Sequence, residues 1–281
     1  MWPRRGSELF PYPPPMDLVI VPLIAAALAA ITLLSGFGLG TVLMPVFALF
    51  FPIEVAIAAT GVVHLSNNLF KLGLVGRHAD LGVVLRFGLP AIAAAFIGAG
   101  LLTLMAPSAP LFEYHLAGHA ASITITKLIA SVLLAFFAML ELLPWYQQLS
   151  FPRRLLPLGG ALSGFFGGLT GMQGALRAPF LLRCGLSKEA FVGSTNVVST
   201  AVDLTRLLMY VLGYTYLAKT HDYSVLASPR TLLLVSLTCI AGCIGSLLGK
   251  RFLGKVTMRG IRVIVAVLLF VLAGLLGAGI I

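Results

Sequence analysis

Charge is scarce in this chain. Among 281 residues there are 9 Asp and Glu and 19 Lys and Arg, so charged side chains make up 10% of the sequence and hydrophobic ones 59%. With a mean hydropathy of +1.03, a water-soluble globule of this length would lack the polar surface to cover itself. Cysteine is equally sparse. Cys184, Cys239 and Cys243 lie in or beside apolar runs with no His or carboxylate at ligand spacing, and Cys239 and Cys243, four apart on one helix face, are expected only to pack. Glu113, His115 and His119 are too loosely spaced for a zinc site, so no metal is expected. The P-loop pattern G-x-x-x-x-G-K-[ST] is missing, which excludes nucleotide hydrolysis by the chain itself, and no cofactor is expected. The nucleophile elbow G-x-S-x-G is missing too: Gly160 to Gly164 reads GALSG. An intramembrane hydrolase using Ser163 and His64 therefore stays a remote alternative, and the chain is read as not an enzyme.

What is abundant is long apolar runs without the period-2 alternation of a membrane barrel, so they are predicted to be helices in one membrane domain. They span Asp17 to Phe51, Val55 to Val75, Leu81 to Met105, Ser122 to Leu143, Leu155 to Cys184, Ala190 to Leu212, Arg230 to Gly249 and Gly260 to Ile281. About 20 residues cross a bilayer, so the first and fifth runs are too long for one crossing. Both are interrupted by glycine, at Ser35 to Pro45 (SGFGLGTVLMP) and Gly167 to Pro179 (GGLTGMQGALRAP), and each is predicted to be a broken helix. Residues 1–16 are expected to be a disordered leader.

Setting Pro45 against Pro179 also aligns Gly40 with Gly174, Ala56 with Ala190 and Thr60 with Ser194, and the order of apolar runs then repeats. The predicted fold is all-α: two repeats, 17–143 and 144–281, each with a glycine-broken or re-entrant segment plus three transmembrane helices. The net charge of +10 marks topology here, and no nucleic-acid partner is expected. If each long run crosses once, the loop cations divide eight against seven. If each returns to its starting side, Arg77, Arg86, Arg153, Arg154, Arg183, Lys188, Lys250, Arg251, Lys255, Arg259 and Arg262 share one side, leaving Arg4, Arg5, Lys219 and Arg230 opposite. Eleven against four places the basic loops in the cytoplasm, both termini outside, and the halves in inverted orientation. The expected location is the inner (plasma) membrane.

Polar residues at membrane depth are costly and mark function. Thr60, His64, Asn67, Asn68 and Lys71 recur along one helix face, and Thr195, Ser199, Asp203 and Arg206 along another, with Ser194, Asn196 and Thr200 alongside. Arg177 follows the second break, where free helix-end N–H groups and an arginine together suit an anion. It could equally bond a carbonyl. The predicted substrate contacts are Gly38, Gly40, Asn68, Gly171, Gln173, Gly174, Arg177, Thr195 and Asn196. Coupling or gating falls to His64, Lys71, Asp203 and Arg206. Asp203 and Arg206, three apart, are expected to pair, and His64 is the candidate for a proton as coupling ion. Ser, Thr and Asn also join membrane helices to each other, which is the alternative for each of them singly.

The stretches GFGLGTVLMPVFALFF (Gly36 to Phe51), LSGFFGGLTGMQGALRAPFLL (Leu162 to Leu182), VAIAATGVV (from Val55) and EAFVGSTNVVST (from Glu189) resemble the TauE/SafE sulfite and organosulfonate exporters, whose halves each begin with a glycine-rich segment, a proline and an apolar run. Leu39 and Met172-Gln173 interrupt the consecutive glycines of that pattern. The resemblance implies export of a small anion, such as sulfite, sulfoacetate or a related organosulfonate, across the cytoplasmic membrane. A passive channel or other permease is the alternative. The partners expected are the anion, the lipid bilayer and a coupling proton, and a homodimer is compatible with this reading.

Overall fold

The computed structural model describes residues 16–32, 39–105, 109–116, 119–217, 228–252 and 258–280. Its helices are α1 (Asp17–Thr32), α2 (Leu39–Ala48), α3 (Ile53–Val75), α4 (Leu81–Met105), α5 (Ile125–Leu142), α6 (Pro144–Gln148), α7 (Leu156–Thr170), α8 (Gly174–Leu181), α9 (Lys188–Leu217), α10 (Pro229–Phe252) and α11 (Met258–Gly277). Four stretches, Ile53–His78, Leu81–Met105, Ile125–Leu142 and Pro229–Gly249, are long and apolar enough to cross a membrane. Their outward positions carry bare hydrophobes such as Leu81, Ile97, Leu104 and Val132. That surface suits lipid and is too apolar for water.

Both overlong runs divide. The second splits at Gly171, whose left-handed backbone (φ 84) ends α7 while its N–H still bonds the Gly167 carbonyl. The first splits into α1 and α2, with residues 33–38 outside the described set. The short helices after the splits lie inside the bundle: every residue of α2 is buried, and α8 buries Gly174, Ala175, Arg177 and Pro179–Leu181. Pro179 has no N–H for the carbonyl of Ala175 one turn earlier. The Tyr146 hydroxyl donates to that carbonyl at 3.1 Å.

The ends of the fifth run meet. Phe151 N donates to the Pro179 carbonyl at 3.0 Å, and Asp80 contacts Arg153 (3.8 Å) and the Ser194 hydroxyl (2.9 Å). The run leaves one end of the bundle and comes back to it.

The seams fix helix directions. α7 lies parallel to α4, with Gly160, Gly164 and Gly168 against the carbonyls of Phe87, Ala91 and Ala95; a Cβ on these glycines would sit 2.0 to 2.3 Å from those oxygens. α10 lies parallel to α1 in the same manner, with Gly245 and Gly249 against Ala26 and Ala30. Small residues permit this approach, and dispersion between the backbones holds it. At their first turns Asp80 meets Arg153, and Asp17 meets Arg230 at 3.0 Å. α3 runs antiparallel to α9 (His64 on Asp203, Gly193 beside Val75), and α5 antiparallel to α11 (Ser131 on Ala273, Ser122 on Gly279). The α1–α10 seam thus repeats the α4–α7 seam, and α3–α9 and α5–α11 are each antiparallel pairs.

One expectation needs correction. The stretch between Met105 and Ser122, which lies between the third and fourth predicted runs, contains an antiparallel hairpin, β1 (Phe112–Leu116) with β2 (His119–Ile123). It is held by Ser122 N on the Gly279 carbonyl and by the Tyr114 hydroxyl on that of Ala278. Ser122 accordingly belongs to the hairpin, and the fourth run begins as a helix at Ile125, capped by Thr124, whose side chain accepts from Lys127 N at 3.2 Å.

Candidate functional site

The polar faces of α3 and α9 meet where the first turn of α2 approaches the end of α7. A Cβ on Gly40, in the first turn of α2, would lie 3.4 Å from both the Gly171 carbonyl and His64 Cδ2. A Cβ on Gly171 would lie 2.5 Å from Arg206 Nη1, and one on Gly61 3.5 Å from Arg206 Cζ. The Arg206 guanidinium therefore sits between α3 and the end of α7, near that helix's negative dipole end. The Tyr210 hydroxyl caps the Gly168 carbonyl beside it.

Asp203, fully buried, is the hub. Its Oδ1 accepts from Arg206 Nε at 2.9 Å and from Gln173 Nε2 at 3.3 Å, with Arg206 Nη2 in ion-pair contact at 2.8 Å. Its Oδ2 takes His64 Nδ1 at 2.7 Å and Asn68 Nδ2 at 2.8 Å, which leaves Asn68 Nδ2 and His64 Nδ1 3.1 Å apart. A carboxylate accepts on both oxygens, so this arrangement requires an imidazole proton on Nδ1. The expected Asp203–Arg206 pair is present. Its link to His64, 139 residues earlier, is not a pattern that periodicity could reveal.

Arg177 is 2% exposed, and its Nη1 donates to the Thr195 carbonyl at 2.7 Å and to the Ser199 hydroxyl. Both partners are neutral. Among the described residues no carboxylate pairs with it; Asp203 acts on it only from beyond ion-pair range. Its Nε has no hydrogen-bond partner among the described residues, nor have Thr195 Oγ1, Thr60 Oγ1 and Gln173 Oε1. The bundle centre therefore holds two guanidinium groups against one carboxylate.

The other predicted site residues divide. Gly174 opens α8, whose N-terminus has no side-chain cap, and Gly40 occupies the matching place in α2. Gly38 lies outside the described residues. Asn196 donates to the Val192 carbonyl of its own helix at 2.9 Å and so serves its helix. Lys71 is buried further along α3, beyond the Asp203 cluster. Asn67 accepts from Ser246 of α10 at 2.6 Å, a helix-joining bond. Ser163 donates to the Gln173 carbonyl at 2.9 Å, and no bond joins it to His64. It supports the break rather than a nucleophilic site.

Apolar spans, short buried helices after glycine breaks and a charged centre between them define a polytopic helical membrane protein of the transporter kind. The family model described as Sulfite exporter TauE/SafE matches residues 21–276, so the chain belongs to the TauE/SafE sulfite exporter family, a family of membrane anion exporters. No curated protein and no solved structure matches the chain.

Proposed function

We propose that the protein is a secondary transporter that exports a small sulfur-containing anion, of the size of sulfite or sulfoacetate, through the junction of the two breaks. The observation that carries this reading is Arg177: a buried guanidinium that has no carboxylate partner among the described residues, its Nε unpaired, as is the hydroxyl of Thr195, whose carbonyl it holds. Leaving such a charge without a counter-ion costs at least about 2.5 to 3.5 kcal/mol on the insertion scale, and an anion supplies that counter-ion. The uncapped N–H groups of α8 add partial positive charge nearby. Gln173, Gly171, Gly40 and Asn68 complete the surroundings.

The two halves, 17–143 and 144–281, act as inverted repeats, which supports alternating exposure of the centre. The basic end, carrying Arg77, Arg153, Arg183 and Lys188, is cytoplasmic by the positive-inside rule, in the inner membrane. It would also concentrate anions at the inner mouth in a salt-sensitive way.

The test is flux of labelled sulfite, sulfoacetate, thiosulfate, sulfate and acetate into proteoliposomes. Saturable flux of a sulfur anion is expected. Flux that rises linearly with concentration would indicate a channel, and flux equal to that of empty liposomes for all five, from folded protein, would overturn the reading.

A further inference from the structure

The imidazole of His64 has no role in the anion contacts above, yet it is buried between α3 and α9 and bonded to the hub carboxylate. Three observations set its chemistry. Asp203 Oδ2 fixes Nδ1 as the protonated nitrogen, leaving Nε2 able to take a second proton. The ring edge at Cδ2 lies against Gly40, where α2 begins, so the imidazole borders the break as well as the hub. Among the described residues the charged and titratable groups around it are few: Asp203, Arg206 and Tyr210 on α9, Lys71 further along its own helix, and Cys243 of α10 beside Ser66; Asn68 and Gln173 are neutral, α2 has no titratable side chain, and α8 brings Arg177.

Resting on the anion-transport reading, we propose that His64 is a proton-binding site linked to the anion site, so that one proton is taken up by the protein when the anion binds. The proton comes from the aqueous phase onto Nε2; one N–H bond forms, no other bond changes, and the local charge rises by one. Asp203 takes no part in the exchange: its two oxygens accept from Arg206, Gln173, His64 and Asn68. With the imidazole neutral, the centre's two guanidinium groups and one carboxylate match a monoanion. With it protonated, the centre matches a dianion, or holds a monoanion more tightly. Linkage fixes the sign: a group that gains positive charge next to an anion favours the anion, so affinity increases as pH falls, by at most about tenfold per pH unit for a single proton.

The experiment is isothermal titration calorimetry of the full chain in detergent with methanesulfonate, a monoanion that itself takes up no proton near neutrality. It is run between about pH 6 and 8, the range in which histidine ordinarily changes charge, in Bis-Tris and in imidazole, which carry no sulfonate. The difference in heat between buffers gives the protons exchanged per anion bound. Wild-type protein is expected to take up protons on binding, with a Kd that falls on acidification. His64→Gln is expected to bind with a flat pH profile and no buffer dependence. Binding by wild type without proton exchange would overturn the proposal and leave the anion site standing, and needs no variant that folds. Proton uptake retained in His64→Gln would overturn it as well. Absence of methanesulfonate binding would overturn this inference too, while the anion reading stands or falls on the flux of the five labelled anions.

Discussion

Asp203 on α9 reaches across to His64 on α3, 2.7 Å from Oδ2 to Nδ1, while its other oxygen holds Arg206 on its own helix. One buried carboxylate thus ties the two polar faces together and neutralises a fully buried guanidinium. Removing it as Asp203→Asn leaves Arg206 without its counter-ion, a change that typically costs about 3 to 5 kcal/mol for a buried pair. Thermal unfolding in detergent should show a large loss. The double variant Asp203→Asn, Arg206→Gln should recover part of it, because the two residues share one interaction. Additive losses would show that the pair is not coupled.

The α4–α7 seam gives a sharper steric prediction. A Cβ at Gly164 would fall 2.0 Å from the Ala91 carbonyl oxygen, and one at Gly245 2.0 Å from that of Ala26. Gly164→Val and Gly245→Val are therefore expected to abolish the folded protein in detergent, seen as loss of the monodisperse peak in size-exclusion chromatography. Gly73→Ala meets nothing within 4 Å and should elute as wild type does.

At Gly171 two costs combine. The residue has φ 84, which costs an L side chain about 1 to 2 kcal/mol, and its Cβ would press on Arg206 Nη1 at 2.5 Å. Gly185 has φ 66 and open space around it, so only the backbone cost applies there. Gly171→Ala should lower anion flux and stability together, whereas Gly185→Ala should cost about 1 kcal/mol of stability and spare flux. Equal behaviour of the two would remove the junction from the account.

Topology is open to labelling. With the three native cysteines replaced by alanine or serine, Ser187→Cys at the basic end should react with a membrane-impermeant maleimide only after cells are opened. Glu113→Cys in the hairpin, an exposed position, should react in intact cells. The reverse pattern would invert the assigned orientation.

Much of the fold was legible because its determinants are local. Apolar run length gave the helices, and the second glycine cluster gave the split at Gly171; the pairing of helices across the bundle required coordinates. The Asp203–Arg206 pair was legible for the same reason, a three-residue spacing on one helix. The hairpin escaped because five-residue strands in a stretch bounded by long helices leave no periodic trace. His64 on Asp203 escaped for a different reason, and for Arg177 a carbonyl bond was one of the two readings the sequence left open, while its owner, Thr195, was not legible. Each joins separate helices, and nothing in either local sequence selects that partner. Asn196 shows the converse: its amide, attractive as a ligand group on paper, is satisfied one turn back at Val192.

The most direct measurement is saturable sulfite flux in proteoliposomes for wild type, Arg177→Lys and Arg177→Gln, each reconstituted from protein with a monodisperse elution profile. The account predicts that Arg177→Gln loses flux by about a hundredfold or more, consistent with the loss of a charge-assisted contact of about 3 kcal/mol. Arg177→Lys, which keeps the charge but loses the planar fork, should retain an intermediate rate. Wild-type flux in Arg177→Gln would contradict the claim that this guanidinium holds the anion.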